Sequence, residues 1–328
     1  MNREHPFAQY IQILGKGKKG ARSLTREEAE AAFGMILRGE AEPMQIGAFL
    51  MLLRVKEENA EELAGFIAAA RTHIAAPRDI AVDLDWSSCA GKRKHLPWFV
   101  LSALLLAENG IRIFMHGTDG HKTNRIYTEH CFHALGLPVA KNWQGVSSAI
   151  DANNLCFFPL RAWGEPLQQL ADLRDVLGLR STVHTVTRMT NPLNALCSVQ
   201  GIFHPPYAEN CAQANYLLEQ TNALTIKGDS GEFEYRPEAD CKLFLVHNGE
   251  RTQEAWPRFF AEKQEPETIM DAARLRHVWR GTDTDTYGEA AIIGTAALAL
   301  RAMNREPNHT AAWALAEQLW QHRTRDRL

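Results

Sequence analysis

Val82-Asp83-Leu84-Asp85-Trp86-Ser87-Ser88-Cys89-Ala90-Gly91-Lys92-Arg93-Lys94 opens the stretch that decides the fold, and Ile111-Arg112-Ile113-Phe114-Met115-His116-Gly117 closes it. Between them, residues 96–109 are almost continuously apolar. The order is strand, loop, buried helix, strand, which is the grammar of a parallel sheet covered on both faces. Ligands of such sheets sit beyond the carboxyl ends of the strands. The two strand ends, Trp86 to Lys94 and His116-Gly117, are therefore the first places to seek a site.

The same alternation continues to the C-terminus. Apolar spacing predicts strands at 81–84, 111–116, 155–159, 197–202, 224–227 and 242–246. Helices are expected at 96–109, 125–135, 165–177, 207–220, 267–280, 287–303 and 310–322. Before Pro77 only helices are legible. Thr25-Arg26-Glu27-Glu28 has capping-box spacing, and Ala29, Ala32, Phe33, Ile36 and Leu37 follow at helical period. Ile46, Phe49, Leu50 and Leu53 form a second stripe, and a third helix is expected at 60–73. The expected fold is α/β: a small all-helical domain over 1–76 and a large, mostly parallel α/β domain over 77–328.

With 328 residues, 45% hydrophobic and 23% charged, the chain has ample material for a core. A net charge of −3 gives no global attraction for nucleic acid or anionic membrane, so any such affinity must come from local patches. The six cysteines are scattered without metal or redox spacing and read as buried, reduced thiols. His184, His204 and His247 show no ligand spacing, no nucleophile constellation is legible, and no metal site is expected. The polar start of the chain lacks a signal-peptide core, and no apolar run approaches the roughly 20 residues of a membrane span. A cytoplasmic protein without membrane contact is the expectation.

Cations cluster in three loops. Gly15-Lys16-Gly17-Lys18-Lys19-Gly20-Ala21-Arg22 carries four of them and no acid, just before the Thr25 helix start, whose free amides and dipole favour phosphate. Lys92-Arg93-Lys94-His95 precedes the helix beginning near Leu96, and Lys122 with Arg125 precedes the next one. Together they read as a track for a phosphate backbone, with no motif for base readout. The plainer alternatives are a solvated surface, with Arg22 paired to Glu27 and Arg125 to Glu129, or a grip on a small anionic ligand. Trp86 and Trp98 flank the second cluster and read either as stacking platforms or as packing. His116 reads either as a pocket group or as a strand-end residue held by backbone bonds.

The order of several segments resembles the anthranilate phosphoribosyltransferase (TrpD) family over roughly 15–322. Leu24-Thr25-Arg26-Glu27-Glu28-Ala29, Gln45-Ile46-Gly47-Ala48-Phe49-Leu50 and Leu53-Arg54-Val55-Lys56 are similar to its opening. Leu177-Gly178-Leu179-Arg180-Ser181 with Thr190-Asn191-Pro192-Leu193 is similar to its LGIRT and LTNP segments. Ile226-Lys227-Gly228-Asp229-Ser230-Gly231-Glu232-Phe233-Glu234 stands where the family has VHG-x-DGLDE. The resemblance implies a cleft between the two domains, a homodimer formed through the N-terminal helices, and a ligand pocket at Gly91, His116, Gly117, Arg180, Lys227 and Glu234.

The departures matter as much. Where the family has GTGGD, this chain has Trp86, Ser87, Ser88, Cys89 and Ala90 in place of most of it, which closes the approach of backbone amides to a diphosphate. Met115, Thr118 and Asp119 replace the Lys, Asn and Arg of KHGNR, and the family's Asp-Glu pair becomes Phe233-Glu234, leaving one carboxylate for magnesium. This pattern is similar to the YbiB-type branch, which is associated with nucleic-acid binding. The leading expectation is thus a non-catalytic homodimer that binds DNA or RNA through Lys16, Lys18, Lys19, Arg22, Lys92, Arg93, Lys94, Lys122 and Arg125, without a cofactor. The alternative is a phosphoribosyltransferase that uses phosphoribosyl diphosphate and magnesium on an aromatic or base-like acceptor. Its catalytic residues are not identifiable from the sequence.

Overall fold

The computed structural model describes residues 4–118, 120 and 124–328. Lys122 and Asp119 lie outside the described residues. The first layer is helical: α1 (Ala8–Gly15), α2 (Arg26–Leu37), α3 (Pro43–Lys56) and α4 (Ala60–His73). The capping box forms as its spacing requires, with the Thr25 hydroxyl accepting from the Glu28 amide and the Glu28 carboxylate accepting from the Thr25 amide. Asn59 and Glu62 repeat the device at α4. Gly65 lets α4 lie against α2, because a Cβ there would meet the Arg26 carbonyl. Phe7, Phe33, Phe49 and Phe66 interlock between these helices, with ring centroids 5.4–6.0 Å apart.

Seven strands form one sheet: β1 (Leu84–Ser88), β2 (Ile113–Gly117), β3 (Leu155–Pro159), β4 (Cys197–Ile202), β5 (Asn222–Lys227), β6 (Cys241–His247) and β7 (Glu250–Trp256). Their order is β3-β2-β1-β4-β5-β6-β7. The first five pair in parallel, and β6 and β7 join through antiparallel pairs, so that β6 alone runs against the others. Between and after them come α5 (Phe99–Glu108), α6 (Thr128–Leu135), α7 (Trp143–Asn153), α8 (Leu160–Trp163), α9 (Glu165–Leu177), α10 (Val183–Met189), α11 (Pro206–Leu217), α12 (Arg274–Arg280), α13 (Thr286–Ala302) and α14 (His309–Gln321).

Alternation along the strands divides two cores. Leu84, Trp86, Ile113, Met115 and Val199 face α5 and α13. Phe114, Phe158 and Phe244 face the helical layer, which α9 and α10 rejoin through Leu167, Leu170, Val183 and Val186. The helical layer therefore draws on residues beyond 76, inserted between β3 and β4. Here the fold is finer than the two-block division expected from the sequence.

Three readings of local structure need correction. The first strand lies at Leu84–Ser88, not at 81–84. Its Asp85, Ser87 and Ser88 look like loop residues but are buried, with Asp85 accepting from Ser198 at 3.0 Å and Ser88 bonded to Thr128 at 2.6 Å. β7 escapes sequence reading because almost every position of Glu250–Trp256 is exposed, as befits an edge. The expected helix at 267–280 forms only over Arg274–Arg280.

Candidate functional site

The chain lays β1, β2 and β3 to one side, then crosses back to place β4 on the other side of β1. That reversal opens a crevice at the carboxyl ends of β1 and β4, the usual ligand position in such sheets. Backbones crowd there. A Cβ at Gly117 would strike the Ser88 carbonyl, and one at Gly228 would strike the Glu232 carbonyl. Gly91 takes a positive φ of 66° with the Tyr127 ring against it, a conformation and a contact that both exclude a side chain.

The loop after β1 is closed by charges of the chain itself. Amides of Ala90 and Gly91 converge on Glu232 Oε1, each at 2.6 Å. Lys92 is fully buried, and its Nζ bonds both Asp229 and Glu234. Two-way backbone pairing with Ile126, at 2.8 and 2.9 Å, fixes the start of that side chain. The other Glu234 oxygen accepts the Phe99 amide at the start of α5, at 2.9 Å. Burial alone would strip the Lys92 charge, but Glu234 and Asp229 outweigh it and hold the ammonium charged. Burial pushes the Glu234 carboxyl up to about 7, against the pull of Lys92. Asp229 suffers a similar burial cost, yet Lys92 keeps it below the usual range. One amine thus serves two acids.

This overturns one expectation and amends another. The sequence suggests Lys92 as a surface cation for a phosphate backbone; it is buried and doubly paired, because two carboxylates lie behind it. The sequence also suggests that Glu234 stands alone; Asp229, five residues earlier, supplies the second carboxylate.

A second region lies where the helical layer meets the ends of β1 and β2. Cys89, Thr118, Gly120, Gln168, Ala171, Asp172, Arg174, Arg180, His184 and Thr187 line a narrow recess of about 20 Å³, room for a water and little more, in which Asp172 accepts from Gln168 at 2.7 Å. Burial, then the charges of Arg188, Arg174 and Arg125, lower the Arg180 pKa. Burial, followed by Arg180 and Arg188, depresses His184 to about 3, so its imidazole is neutral. Among the described residues no carboxylate pairs with Arg174, Arg180 or Arg188. Such unpaired forks suit a carboxylate or a phosphate.

The remaining candidates are scattered. Lys16, Lys18, Lys19, Arg93, Lys94 and Lys227 are exposed. Arg22 spends its fork on Glu28, at 2.6 and 2.7 Å, rather than on Glu27. Arg125 donates to the Ala90 and Gly91 carbonyls, both at 2.9 Å, while Glu129 pairs with Arg161 instead. The loop of Lys16 is tied to the helical layer through the Arg22 amide, which bonds Ile13 O at 3.0 Å. The Lys94 carbonyl accepts the Glu267 amide at 2.8 Å, which ties its loop to the α/β domain. The described contacts thus anchor these two clusters on different domains. His116 does not line the recess: it is buried, 3.2 Å from Asp85 and flanked by Phe114 and Trp163. Trp86 and Trp98 are fully buried and offer no stacking platform. Sequence reading misses Arg174, Arg188, His184, Asp229 and Glu232 as site residues. Only the helical spacing of Arg180, His184 and Arg188 hints at a shared face.

Comparison with known proteins fits this geometry. Residues 8–74 match the helical bundle domain of a glycosyl transferase family, and residues 99–319 match the a/b domain of the same family. The chain belongs to this glycosyl transferase family. Among its relatives is "Uncharacterized protein YbiB" of Escherichia coli (strain K12), 25% identical over 80% of this chain and 85% of the relative, which supports placement in the YbiB-type branch. An anthranilate phosphoribosyltransferase of Brevibacillus brevis is 31% identical over 67% of this chain and 63% of the relative. The crystal structure of TrpD from Thermus thermophilus superposes with a TM-score of 0.79, at 21% identity over 97% of this chain and 94% of that one, which establishes the TrpD-like fold. The Saccharomyces cerevisiae enzyme in complex with PRPP and Mg gives 0.78 at 17% identity, covering 97% and 94%.

The yeast complex contains magnesium, and the residues here do not fit that ion at the end of β1. Lys92 Nζ stands between the two carboxylates, and one Glu234 oxygen is already committed to the Phe99 amide. Among the described residues no cluster of three His, Cys, Asp or Glu side chains could hold a metal, and no helix is long and apolar enough to cross a membrane.

Proposed function

We propose that the chain is a pentosyl transferase of the anthranilate phosphoribosyltransferase type, handling a phosphorylated ribose and an aromatic or base-like acceptor in the crevice beyond β1 and β2. The observation that carries this reading is the recess lined by Arg174 and Arg180, with the Arg188 charge acting on Arg180, whose forks have no carboxylate ion-pair partner among the described residues, at the edge where sheets of this kind bind ligands. Family membership across both domains supports it. The recess lies between the helical layer and the sheet, so a ligand larger than a water requires these two layers to part. Calorimetric titration with phosphoribosyl diphosphate and with anthranilate tests the reading. Binding of either in the micromolar to low millimolar range, weakened in Arg180→Ala, is expected; no heat from either ligand at several millimolar contradicts it.

A second reading is favoured by one observation. Lys16, Lys18 and Lys19 project from a glycine-rich loop and have no ion-pair partner among the described residues. With Arg93 and Lys94 they would contact nucleic-acid phosphates without regard to sequence. Fluorescence anisotropy across a salt series separates the two readings. Oligonucleotide binding that strengthens at low salt and vanishes when the three lysines become alanine favours this one.

Association through the N-terminal helices is also proposed, with a second copy of the chain as the partner. Helix α3 leaves Met44 and Val55 outside at 86% and 85% exposure, while burying only Phe49, Leu50 and Leu53 inward. Sedimentation of Val55→Glu should show the monomer.

A further inference from the structure

Two charges at the end of β1 sit where charges of a ligand complex would be expected. The Glu232 carboxylate fills the converging amides of Ala90 and Gly91, an arrangement suited to a phosphate oxygen. The Lys92 ammonium fills the gap between Asp229 and Glu234, an arrangement suited to a dication. Neither is incidental. The Lys92 backbone is pinned by Ile126 on both its amide and its carbonyl, Glu234 is pinned by the first turn of α5, and Gly201 and Gly228 bring the Glu232 backbone close in.

A magnesium ion requires about six oxygens in near-octahedral array at roughly 2.0–2.1 Å. That shell cannot assemble while an ammonium touches both acids and one of their oxygens receives a backbone amide. Entry of the ion would expel Lys92 from full burial and from both of its carboxylate partners. The Lys92 ammonium, held at full burial, supplies one positive charge between two carboxylates where a dication would supply two.

We propose that Lys92 is a tethered cation standing in for the dication at this strand end, so that the crevice takes its phosphorylated ligand metal-free. The ligand class is a phosphorylated sugar that arrives without a chelated dication. The inference rests on the charge geometry and deepens the transferase reading by specifying its ligand. Ion binding is its readout, so absence of transfer activity would leave it standing.

The test is a Mn²⁺ titration followed by electron paramagnetic resonance on the full chain, comparing wild type, Glu234→Gln, Lys92→Met and the double variant Lys92→Met/Glu234→Gln. Wild type is expected to show no Mn²⁺ affinity that Glu234→Gln removes. Lys92→Met is expected to bind Mn²⁺ at least about tenfold more tightly than wild type, and the double variant to lose that gain. Urea denaturation supplies a parallel readout, with Mn²⁺ stabilising Lys92→Met and leaving wild type unchanged. Wild-type binding lost in Glu234→Gln overturns the proposal, as does a folded Lys92→Met that gains nothing. Should Lys92→Met stay unfolded even with Mn²⁺, the wild-type comparison alone decides.

Discussion

Two neighbouring regions on one edge of the sheet are built on opposite principles. At the end of β1 every charge has a partner inside the chain: Lys92 with Asp229 and Glu234, Glu232 with two amides. In the recess beside it, Arg174 and Arg180 face like charges, and burial, followed by Arg180 and Arg188, keeps His184 neutral. Paired buried charges define a structure, and unpaired ones await a ligand. On the transferase reading proposed above, binding capacity belongs to the arginine recess, and rigidity to the loop that a family resemblance would nominate first.

Breaking the closed side should produce the largest effect. Lys92→Met leaves Asp229 and Glu234 buried together without a counter-charge, and a loss of about 3–5 kcal/mol in urea-derived stability is expected. Adding Glu234→Gln should recover part of that loss, because one of the two stranded charges is removed.

The open side should respond in the other way. Arg180→Ala should weaken binding of a phosphate or carboxylate ligand by about ten- to a hundredfold, reflecting the roughly 1.5–3 kcal/mol of a charged hydrogen bond, with stability hardly changed. Calorimetry and thermal unfolding on the same sample separate the two effects. A variant that loses stability and binding together would erase the distinction between the regions.

Acid sharpens the comparison further. His184 binds its proton near 6.5 when unfolded but only at about 3 when folded, so the unfolded chain takes up more protons below pH 6.5. Its contribution to stability is therefore present above 6.5 and lost as pH falls towards 3, by up to about 1.4 kcal/mol per pH unit. His184→Asn should flatten that part of the stability profile, and an anion bound to Arg180 and Arg188 should raise the His184 pKa, seen by NMR. The smallest effect belongs to the surface: replacing Lys16, Lys18 and Lys19 with alanine should change stability by less than about 0.5 kcal/mol each.

Much of this architecture is legible in the residue pattern. The capping box at Thr25 and Glu28, the apolar stripes of α2 to α4, and the strands at Leu155–Pro159 and Cys197–Ile202 follow from local rules that tertiary packing does not override. Pattern misplaces β1 because Asp85, Ser87 and Ser88 are polar yet interior; Ser198, the partner of Asp85, lies 113 residues away, and Thr128, the partner of Ser88, lies 40 away. The same blindness hides the site. Lys92 looks like its neighbours Arg93 and Lys94 until the chain brings Glu234 to it from 142 residues further on. Spacing in one dimension shows that cations cluster; it does not show which of them the fold turns inward.

The most direct check on this account is a crystal structure of the full chain grown in several millimolar Mn²⁺, with data collected at an anomalous wavelength. The account predicts Lys92 Nζ between Asp229 and Glu234, Glu232 on the Ala90 and Gly91 amides, and no anomalous peak among them. A manganese peak between Asp229 and Glu234, with Lys92 turned out of the site, would contradict it.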